Sequence, residues 1–136
     1  MEQIFILKES SGGIKSPSDL FKQIKNFKID YFQENLIVFF LDTKNKLIKS
    51  EILFKGGLNS CIVDPKILFR KALRYSANSF IIAHNHPSKD LNPSDEDITI
   101  FETLKEAGRI INLECLDSII FNKGFYYSIN QKGAKT

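Results

Sequence analysis

The segment from Leu36 to Leu41, Leu-Ile-Val-Phe-Phe-Leu, is the longest apolar run of the chain. A short run rich in β-branched and aromatic side chains predicts a buried strand. The turn-forming residues Asp42 to Asn45 come next, and a second strand pattern extends from Leu47 to Phe54. The two segments therefore predict a β-hairpin whose first strand lies in the core.

Helical and strand patterns alternate around this hairpin. Apolar spacing and capping residues predict helices over about 18–27, 65–75 and 95–107, with Gly108 as the stop signal of the last helix. Four further strands are predicted at 79–83, 110–113, 116–121 and 125–129, and the tail from Gln131 to Thr136 is predicted to be frayed. This alternation predicts an α/β layered domain with a mixed sheet.

The composition fits one ordinary globular domain. The chain has 136 residues, of which 43% are hydrophobic and 26% are charged. We therefore expect a single domain over residues 1–136, with its core between about 16 and 130. The net charge is only +3 and the lysines are scattered, so nucleic-acid binding is weakly supported, and the oligomeric state is left open.

The chain is expected to be cytoplasmic. Residues 1–10 have no signal-peptide pattern, and the longest apolar run is far too short to cross a membrane. Cys61 and Cys115 are far apart in sequence and form no Cys-x-x-Cys pair. They are therefore expected to be buried thiols in a reducing compartment rather than zinc ligands or redox partners.

Both histidines of the chain lie in one short segment, His84-Asn85-His86, where a predicted strand ends and a polar loop begins. In extended backbone, residues two apart project from the same side, so both imidazoles can reach one ion. Zinc favours imidazole nitrogen together with a carboxylate, and a catalytic zinc keeps one position open for water. Asp97, in the first turn of the next helix, can supply that carboxylate. The segment therefore predicts a Zn²⁺ site.

The stretch from Ser94 to Asp97 has a second interpretation as a helix start. Ser94 as the N-cap with Asp97 three residues later forms a capping-box pattern, and acidic residues suit the helix dipole. Taken alone, this stretch favours capping over metal binding, and a lone His-x-His pair favours ordinary loop histidines. The metal prediction depends on their combination. Asp95 and Glu96 face other directions on the same turn and are not expected to be ligands.

The combination resembles a known metalloprotease motif. His84 and His86, seven further residues to Ser94 and two more to Asp97 match every fixed position of the JAMM motif, His-x-His-x7-Ser-x-x-Asp. The surrounding sequence resembles the bacterial RadC family in particular. The segments that carry this resemblance are 84–88, 93–98, 41–45, 57–60, 64–65 and 106–108, and it extends from about Ser16 to Ile129.

This resemblance implies a JAB/MPN-like fold, a cytidine-deaminase-like layered domain whose mixed central sheet is flanked by helices. It also implies one zinc ion, with His84, His86 and Asp97 as its ligands and Ser94 as an auxiliary catalytic residue. A Glu from an earlier strand would act as general acid and base. Glu34, at the entrance of the first core strand, is favoured for this role over Glu51 in the second strand, because of its position in the topology.

The implied activity is that of a zinc-dependent peptidase or isopeptidase. Zinc would lower the pKa of a bound water, Glu34 would take its proton and pass it to the leaving amine, and Ser94 would help to stabilise the oxyanion. The substrate would be a peptide or a protein. Two alternatives stay open: a DNA-repair-associated accessory protein, and a binding or scaffold module without catalysis.

Three features depart from the RadC pattern. Lys89 stands where the family usually has Gly, which questions the backbone conformation of the metal loop. Ser118 stands where the family commonly has His, so any role of that His is absent here. No helix-hairpin-helix domain is expected in this chain, which removes the usual argument for DNA contact.

Overall fold

A computed structural model describes residues 13–56 and 63–135 of the chain, and within these ranges there are three helices and six strands. In chain order they are α1 (Pro17–Ile24), β1 (Glu34–Leu41), β2 (Leu47–Gly56), α2 (Pro65–Arg74), β3 (Ser79–Asn85), α3 (Asp95–Ile110), β4 (Glu114–Phe121), β5 (Tyr126–Ser128) and β6 (Gly133–Lys135). The predicted turn over residues 57–60 and Cys61 lie outside the described residues.

The six strands form one mixed sheet in the order β2-β1-β3-β4-β5-β6. Strands β3 and β4 pair in parallel, and the other neighbouring strands pair antiparallel. A parallel pair needs a crossover connection, which α3 supplies between β3 and β4. The α/β fold with a mixed central sheet is confirmed, and so is the hairpin, which β1 and β2 form.

Helices cover both faces of the sheet, which explains why β1 is apolar from Leu36 to Leu41. Alternate residues of a strand point to opposite faces. Ile37, Phe39 and Leu41 pack with apolar residues of α1 on one face. Leu36, Val38 and Phe40 pack on the other face with residues of α2 and α3.

The end of α3 differs from the prediction. Gly108 does not stop the helix, which continues to Ile110, and the strand predicted over 110–113 is wrong. The chain turns back at Asn112, which has a φ of +59°, and the Leu113 N–H donates to the Gly108 carbonyl at 2.7 Å. A Cβ on Gly108 would lie 1.9 Å from the Leu113 carbonyl oxygen. Glycine is therefore needed at 108 for this close return of the chain.

Three element boundaries also differ. Helix α1 begins at Pro17, with Ser16 as its cap, and ends at Ile24 rather than at 27. Strand β3 continues past Ala83 to Asn85, so it includes the first histidine. The frayed tail is wrong for Gly133–Lys135, because this segment pairs with β5 as β6.

Two further sequence-based expectations can be compared with the described residues. Cys115 is a buried thiol, as expected, and its burial raises the pKa of that thiol. Of the three described helices, none combines the length and the apolar character that a membrane span requires.

Candidate metal site

Four side chains that can bind a metal meet where β1 begins, β3 ends and α3 begins. They are Glu34, His84, His86 and Asp97, and one ligand atom from each lies within 4.8 Å of the others. The sheet register explains three of them. His84 pairs with Leu36 across β1 and β3, so Glu34 precedes this pair by two residues and His86 follows it by two. All three side chains therefore lie on the face of the sheet that packs against α3.

Asp97 places its carboxylate between the two imidazoles. Its Oδ1 lies 3.1 Å from His84 Nε2, and its Oδ2 lies 2.9 Å from His86 Nε2. The residue as a whole is only 8% exposed. The carboxylate is therefore held close to both ring nitrogens and largely away from solvent.

The same Asp97 also belongs to a capping box. The Ser94 hydroxyl oxygen accepts a hydrogen bond from the Asp97 N–H at 3.0 Å, and the Ser94 N–H donates to Asp97 Oδ2 at 2.9 Å. The two interpretations of this stretch are thus compatible, because one carboxylate serves the helix start and faces the histidines. Asp95 and Glu96 are exposed and lie outside the cluster.

The loop after β3 fixes the orientation of the second imidazole. The Nδ1 of His86 lies 2.8 Å from the Asp90 carbonyl oxygen, which can only accept, so Nδ1 carries the proton. The Nε2 atom is then the one directed at the cluster. Metal-binding histidines commonly use their second nitrogen in this way.

Lys89 closes the turn that begins at His86, because its N–H donates to the His86 carbonyl at 2.8 Å. It does so with a φ of +67°, the left-handed conformation that favours glycine. This turn is therefore formed by a lysine in a conformation that costs some backbone strain.

The charges of the cluster shift two pKa values in opposite directions. Burial by itself would raise the pKa of Asp97, but the neighbouring imidazoles of His84 and His86 outweigh it and hold that pKa well below its usual range. The hydrogen bond to Asp97 raises the pKa of His86, against the opposing effect of burial. The carboxylate therefore stays ionised at neutral pH.

The donor set fits a divalent metal ion. His84 Nε2 is buried and has no hydrogen-bond partner among the described residues, although Asp97 Oδ1 is only 3.1 Å away. A buried polar atom of this kind is rare in proteins because it is costly to leave without a partner. A cation between the two imidazoles and the carboxylates would satisfy it. The group of His, His, Asp and Glu could thus hold a metal ion.

Glu51, the other candidate for the general base, lies elsewhere. It pairs with Val38, four residues further along β1, which corresponds to about 13 Å. Its buried carboxylate accepts hydrogen bonds from Lys71 Nζ, at 2.7 Å, and from the Tyr75 hydroxyl. The structure thus brings Glu34, and not Glu51, to the cluster, while the role of Glu34 stays a prediction.

Asn85 is a positioning residue that sequence reasoning did not single out. It is fully buried, and its Oδ1 accepts from the Asn35 N–H at 2.9 Å and from Asn35 Nδ2 at 3.2 Å. Its Nδ2 donates to the Gln33 carbonyl at 2.9 Å. These bonds join the end of β3 to the residues on both sides of Glu34. The available signal was a polar residue between the two histidines, because alternation places its side chain on the opposite face of the sheet from theirs.

A small cavity of about 20 Å³ lies directly beside the cluster. Glu34, His84 and Asp97 line it together with Ser118 and an apolar wall of Leu36, Val63, Ile82 and Ile100. The Ser118 hydroxyl oxygen is buried and has no hydrogen-bond partner among the described residues. Ser118 is therefore a wall residue of the candidate site.

Comparison with known proteins shows the family of the chain. The family model of the RadC-like JAB domain matches residues 14–134. A UPF0758 protein of Clostridium perfringens is 45% identical over 119 residues, which are 88% of this chain and 52% of the relative. A UPF0758 protein of Chlorobium chlorochromatii is 40% identical over 120 residues, 88% of this chain and 54% of the relative.

A UPF0758 protein of Listeria monocytogenes is 43% identical over 120 residues, again 88% of this chain and 54% of the relative. The chain thus spans about half the length of the curated relatives it matches. The names of these relatives state neither a reaction nor a substrate. Because the family model matches nearly the whole length, the chain belongs to the RadC-like JAB domain family.

Proposed function

We propose that this domain is a zinc-dependent metallopeptidase that hydrolyses a peptide or isopeptide bond in a protein substrate. The observation that carries the proposal is the convergence of Glu34, His84, His86 and Asp97 within 4.8 Å, with the buried His84 Nε2 lacking a hydrogen-bond partner. Membership of the JAB domain family supports it. The substrate is proposed from the JAMM-like motif alone.

Zinc is the metal that suits these donors. Two imidazoles and one carboxylate form a usual catalytic zinc set, and His84, His86 and Asp97 would supply it. When bound, zinc supplies Lewis-acid chemistry, which makes a water molecule acidic enough to act near neutral pH. The hydrogen bond from His86 Nδ1 to the Asp90 carbonyl and the capping-box bond to Asp97 hold two of the three ligands in place.

Glu34 would be the group that moves the proton. Its carboxylate lies within the cluster, is only partly buried and belongs to the first residue of β1. Asn85 fixes the backbone on both sides of it. Glu34 can therefore accept a proton from the attacking water and return it to the leaving amine, as a general base and then a general acid.

Ser94 would assist at the carbonyl oxygen of the substrate. Its Oγ already accepts a hydrogen bond from the Asp97 N–H, so the hydroxyl proton stays available for donation. Ser94 is exposed at the start of α3, where a substrate carbonyl can approach. A hydroxyl in this position would stabilise negative charge that develops on that oxygen.

The first test is the zinc content of the purified protein, measured by elemental analysis. We expect about one zinc per chain in the wild type. We also expect that His84→Ala and Asp97→Ala lose it. Asp95→Ala is the matched control, because it removes an exposed carboxylate from the same helical turn and should keep the metal. If the wild type takes up no zinc after loading, the peptidase proposal fails and a metal-free binding module becomes the better interpretation.

The second test is hydrolysis of a pool of fluorescence-quenched peptides by the zinc-loaded protein. Glu34→Gln should keep the zinc and lose activity by about a hundredfold or more, because it removes the proton acceptor. Ser94→Gly should also lose activity but should lower stability only by a few tenths of a kcal/mol, since Gly is tolerated at an N-cap. Full activity of Glu34→Gln would refute the role given to this residue.

A further inference from the structure

We infer that a groove beside the metal site binds an acidic, apolar segment of the protein substrate. The groove is lined by Tyr31, Lys89, Asn122, Lys123, Gly124 and Phe125, has a volume of about 260 Å³, and is called the Tyr31–Phe125 groove below. The inference rests on the proposed peptidase function, because it takes the occupant of the groove to be part of the substrate.

The groove adjoins the candidate site through two short connections. Lys89 closes the turn that begins at His86, and Tyr31 comes three residues before Glu34. Asn122 follows β4, and its Nδ2 donates to the Lys89 carbonyl at 3.2 Å. The groove therefore lies at the same end of the sheet as the cluster, next to the loop that follows His86, with its Tyr31 wall on the α1 side of the sheet.

Hydrogen bonds and an aromatic contact hold the residues that line the groove in place. Asn122 Oδ1 accepts hydrogen bonds from the N–H groups of Gly124, at 2.9 Å, and Phe125, at 2.8 Å. The Tyr31 ring packs edge-on against the buried Phe121, with 6.1 Å between the ring centroids. The same Asn122 ties the turn after β4 to the loop after β3, so the two walls of the groove are held together.

The chemistry of the lining indicates the occupant. The Phe125 side chain is 50% exposed, and such an exposed aromatic beside a concave surface favours an apolar ligand group. The charged lining residues are Lys89 and Lys123, both positive, and within residues 13–56 and 63–135 no carboxylate lines the groove. An apolar side chain with a carboxylate next to it is complementary to this lining.

A peptide fits these observations better than single-stranded nucleic acid. Nucleic acids bind on open aromatic faces beside a line of cations that follows the phosphates. Here the Lys123 ammonium lies 5.5 Å from the centre of the Tyr31 ring, so it covers that face. Two lysines do not make a line, and Phe125 is left as the exposed aromatic of the groove.

Lys89 occupies a backbone position whose left-handed conformation favours glycine. Gly would give the same left-handed turn without strain, but it would carry no charge. The long cationic side chain of Lys89 lines the groove, while its backbone closes the turn that begins at His86. Lys89 would thus give this domain a preference for acidic substrates that a Gly at 89 would not give.

The test is an NMR titration of the metal-free, isotope-labelled protein with two blocked peptides. The first is acetyl-Ala-Phe-Glu-Asp-Ala-amide, and the second replaces Glu-Asp with Gln-Asn. We expect the acidic peptide to shift the amide signals of Lys89 and of residues 122–125. It should bind about fivefold or more tightly than the neutral peptide, a difference that should shrink at high salt.

Variants separate the two parts of the inference. Lys89→Gln and Lys123→Gln should each weaken binding of the acidic peptide by a few-fold, while Lys66→Gln, at an exposed lysine elsewhere, should not. Phe125→Ser should weaken both peptides, and Ile110→Ser is the control for an exposed apolar side chain outside the groove. If both lysine variants keep the full preference for the acidic peptide, the inference is overturned.

Two other outcomes would also overturn it. One is no localised shift at millimolar peptide, and the other is tighter binding of an oligothymidylate than of the acidic peptide at the same residues. Because the titration uses metal-free protein, its result is independent of zinc binding. A protein that binds zinc but not the peptide refutes only the groove, whereas one that binds the peptide but no zinc refutes only the peptidase.

Discussion

At the scale of single residues, Asp97 connects folding with the candidate chemistry. One carboxylate accepts the capping bond from the Ser94 N–H and faces the nitrogens of both histidines. The low pKa of Asp97 keeps this carboxylate charged, and the raised pKa of His86 favours an ion pair between these two residues in the metal-free protein.

The raised pKa of His86 predicts a pH-dependent stability of the metal-free protein. A group whose folded pKa exceeds its unfolded value of about 6.5 stabilises the fold fully below that pH, and this contribution is lost as the pH rises through the folded pKa. We expect the free energy of unfolding to fall over this window in chelator-treated protein. Urea denaturation at a series of pH values would measure it.

His86→Gln is the reference for that experiment, since it should lack this part of the decrease. Identical pH profiles of the two proteins would contradict the prediction. Zinc affinity should follow the opposite trend and strengthen as the pH rises, because the metal and the proton compete for the same imidazole nitrogen.

The same substitution to Ala should have opposite effects on stability at two buried serines of neighbouring strands. The Ser118 hydroxyl has no hydrogen-bond partner among the described residues, so Ser118→Ala should stabilise the protein by up to about 1 kcal/mol. The Ser128 hydroxyl donates to Asp117 Oδ2 at 2.5 Å, and Ser128→Ala should cost about 2 kcal/mol. Chemical denaturation of both variants would compare them, and a destabilised Ser118→Ala would indicate that its hydroxyl is satisfied.

At the scale of elements, the junction of α3 and β4 leaves less room for a Cβ at Gly108 than is found at the other described glycines. Gly108→Ala would bring its methyl carbon into the Leu113 carbonyl oxygen, and we expect a loss of about 2–3 kcal/mol. Gly124→Ala is the matched control, because a Cβ there meets no atom within 4 Å. Thermal unfolding would measure both, and equal melting temperatures would show that the junction can adjust.

The same junction shows why some elements could not be predicted from the sequence. Residues 110–113 contain two isoleucines and a leucine, which is a strand-like composition, but Ile110 and Ile111 end up exposed at the end of a helix. Local preference there is overridden by the tertiary contact that returns the chain at Gly108. By contrast, β1, β2 and α2 were predicted within a few residues, because their apolar patterns and capping residues agree with their final burial.

The candidate site was only partly predictable for a related reason. His84, His86 and Asp97 lie in one segment with recognisable spacing, so the sequence alone could group them. Glu34 comes from a distant segment, and the choice between Glu34 and Glu51 depends on which strand pairs with which, and in what register. Asn85 was missed because its partners, Asn35 and Gln33, are brought to it by the same pairing.

At the scale of the whole molecule, the site joins three separate elements, β1, β3 and α3. A metal bound only to the folded state stabilises it in proportion to the logarithm of the metal concentration. We expect zinc at a hundredfold excess over its dissociation constant to add about 2.7 kcal/mol to the free energy of unfolding. Calorimetry would detect this as a raised melting temperature, and Asp97→Ala should show no such shift.

The parallel pairing of β3 with β4 requires α3 to cross back over the sheet. The end of β3, the loop that follows it and the start of α3 are therefore consecutive in the sequence. Three of the four donor side chains therefore belong to residues 84–97, while Glu34 is made much earlier during synthesis. During synthesis Glu34 is present before the other three donors, and it reaches them only when β1 pairs with β3. Under the proposed function, residues 84–97 supply all three proposed ligands, whereas the proposed proton acceptor, Glu34, reaches them only through the pairing of β1 with β3.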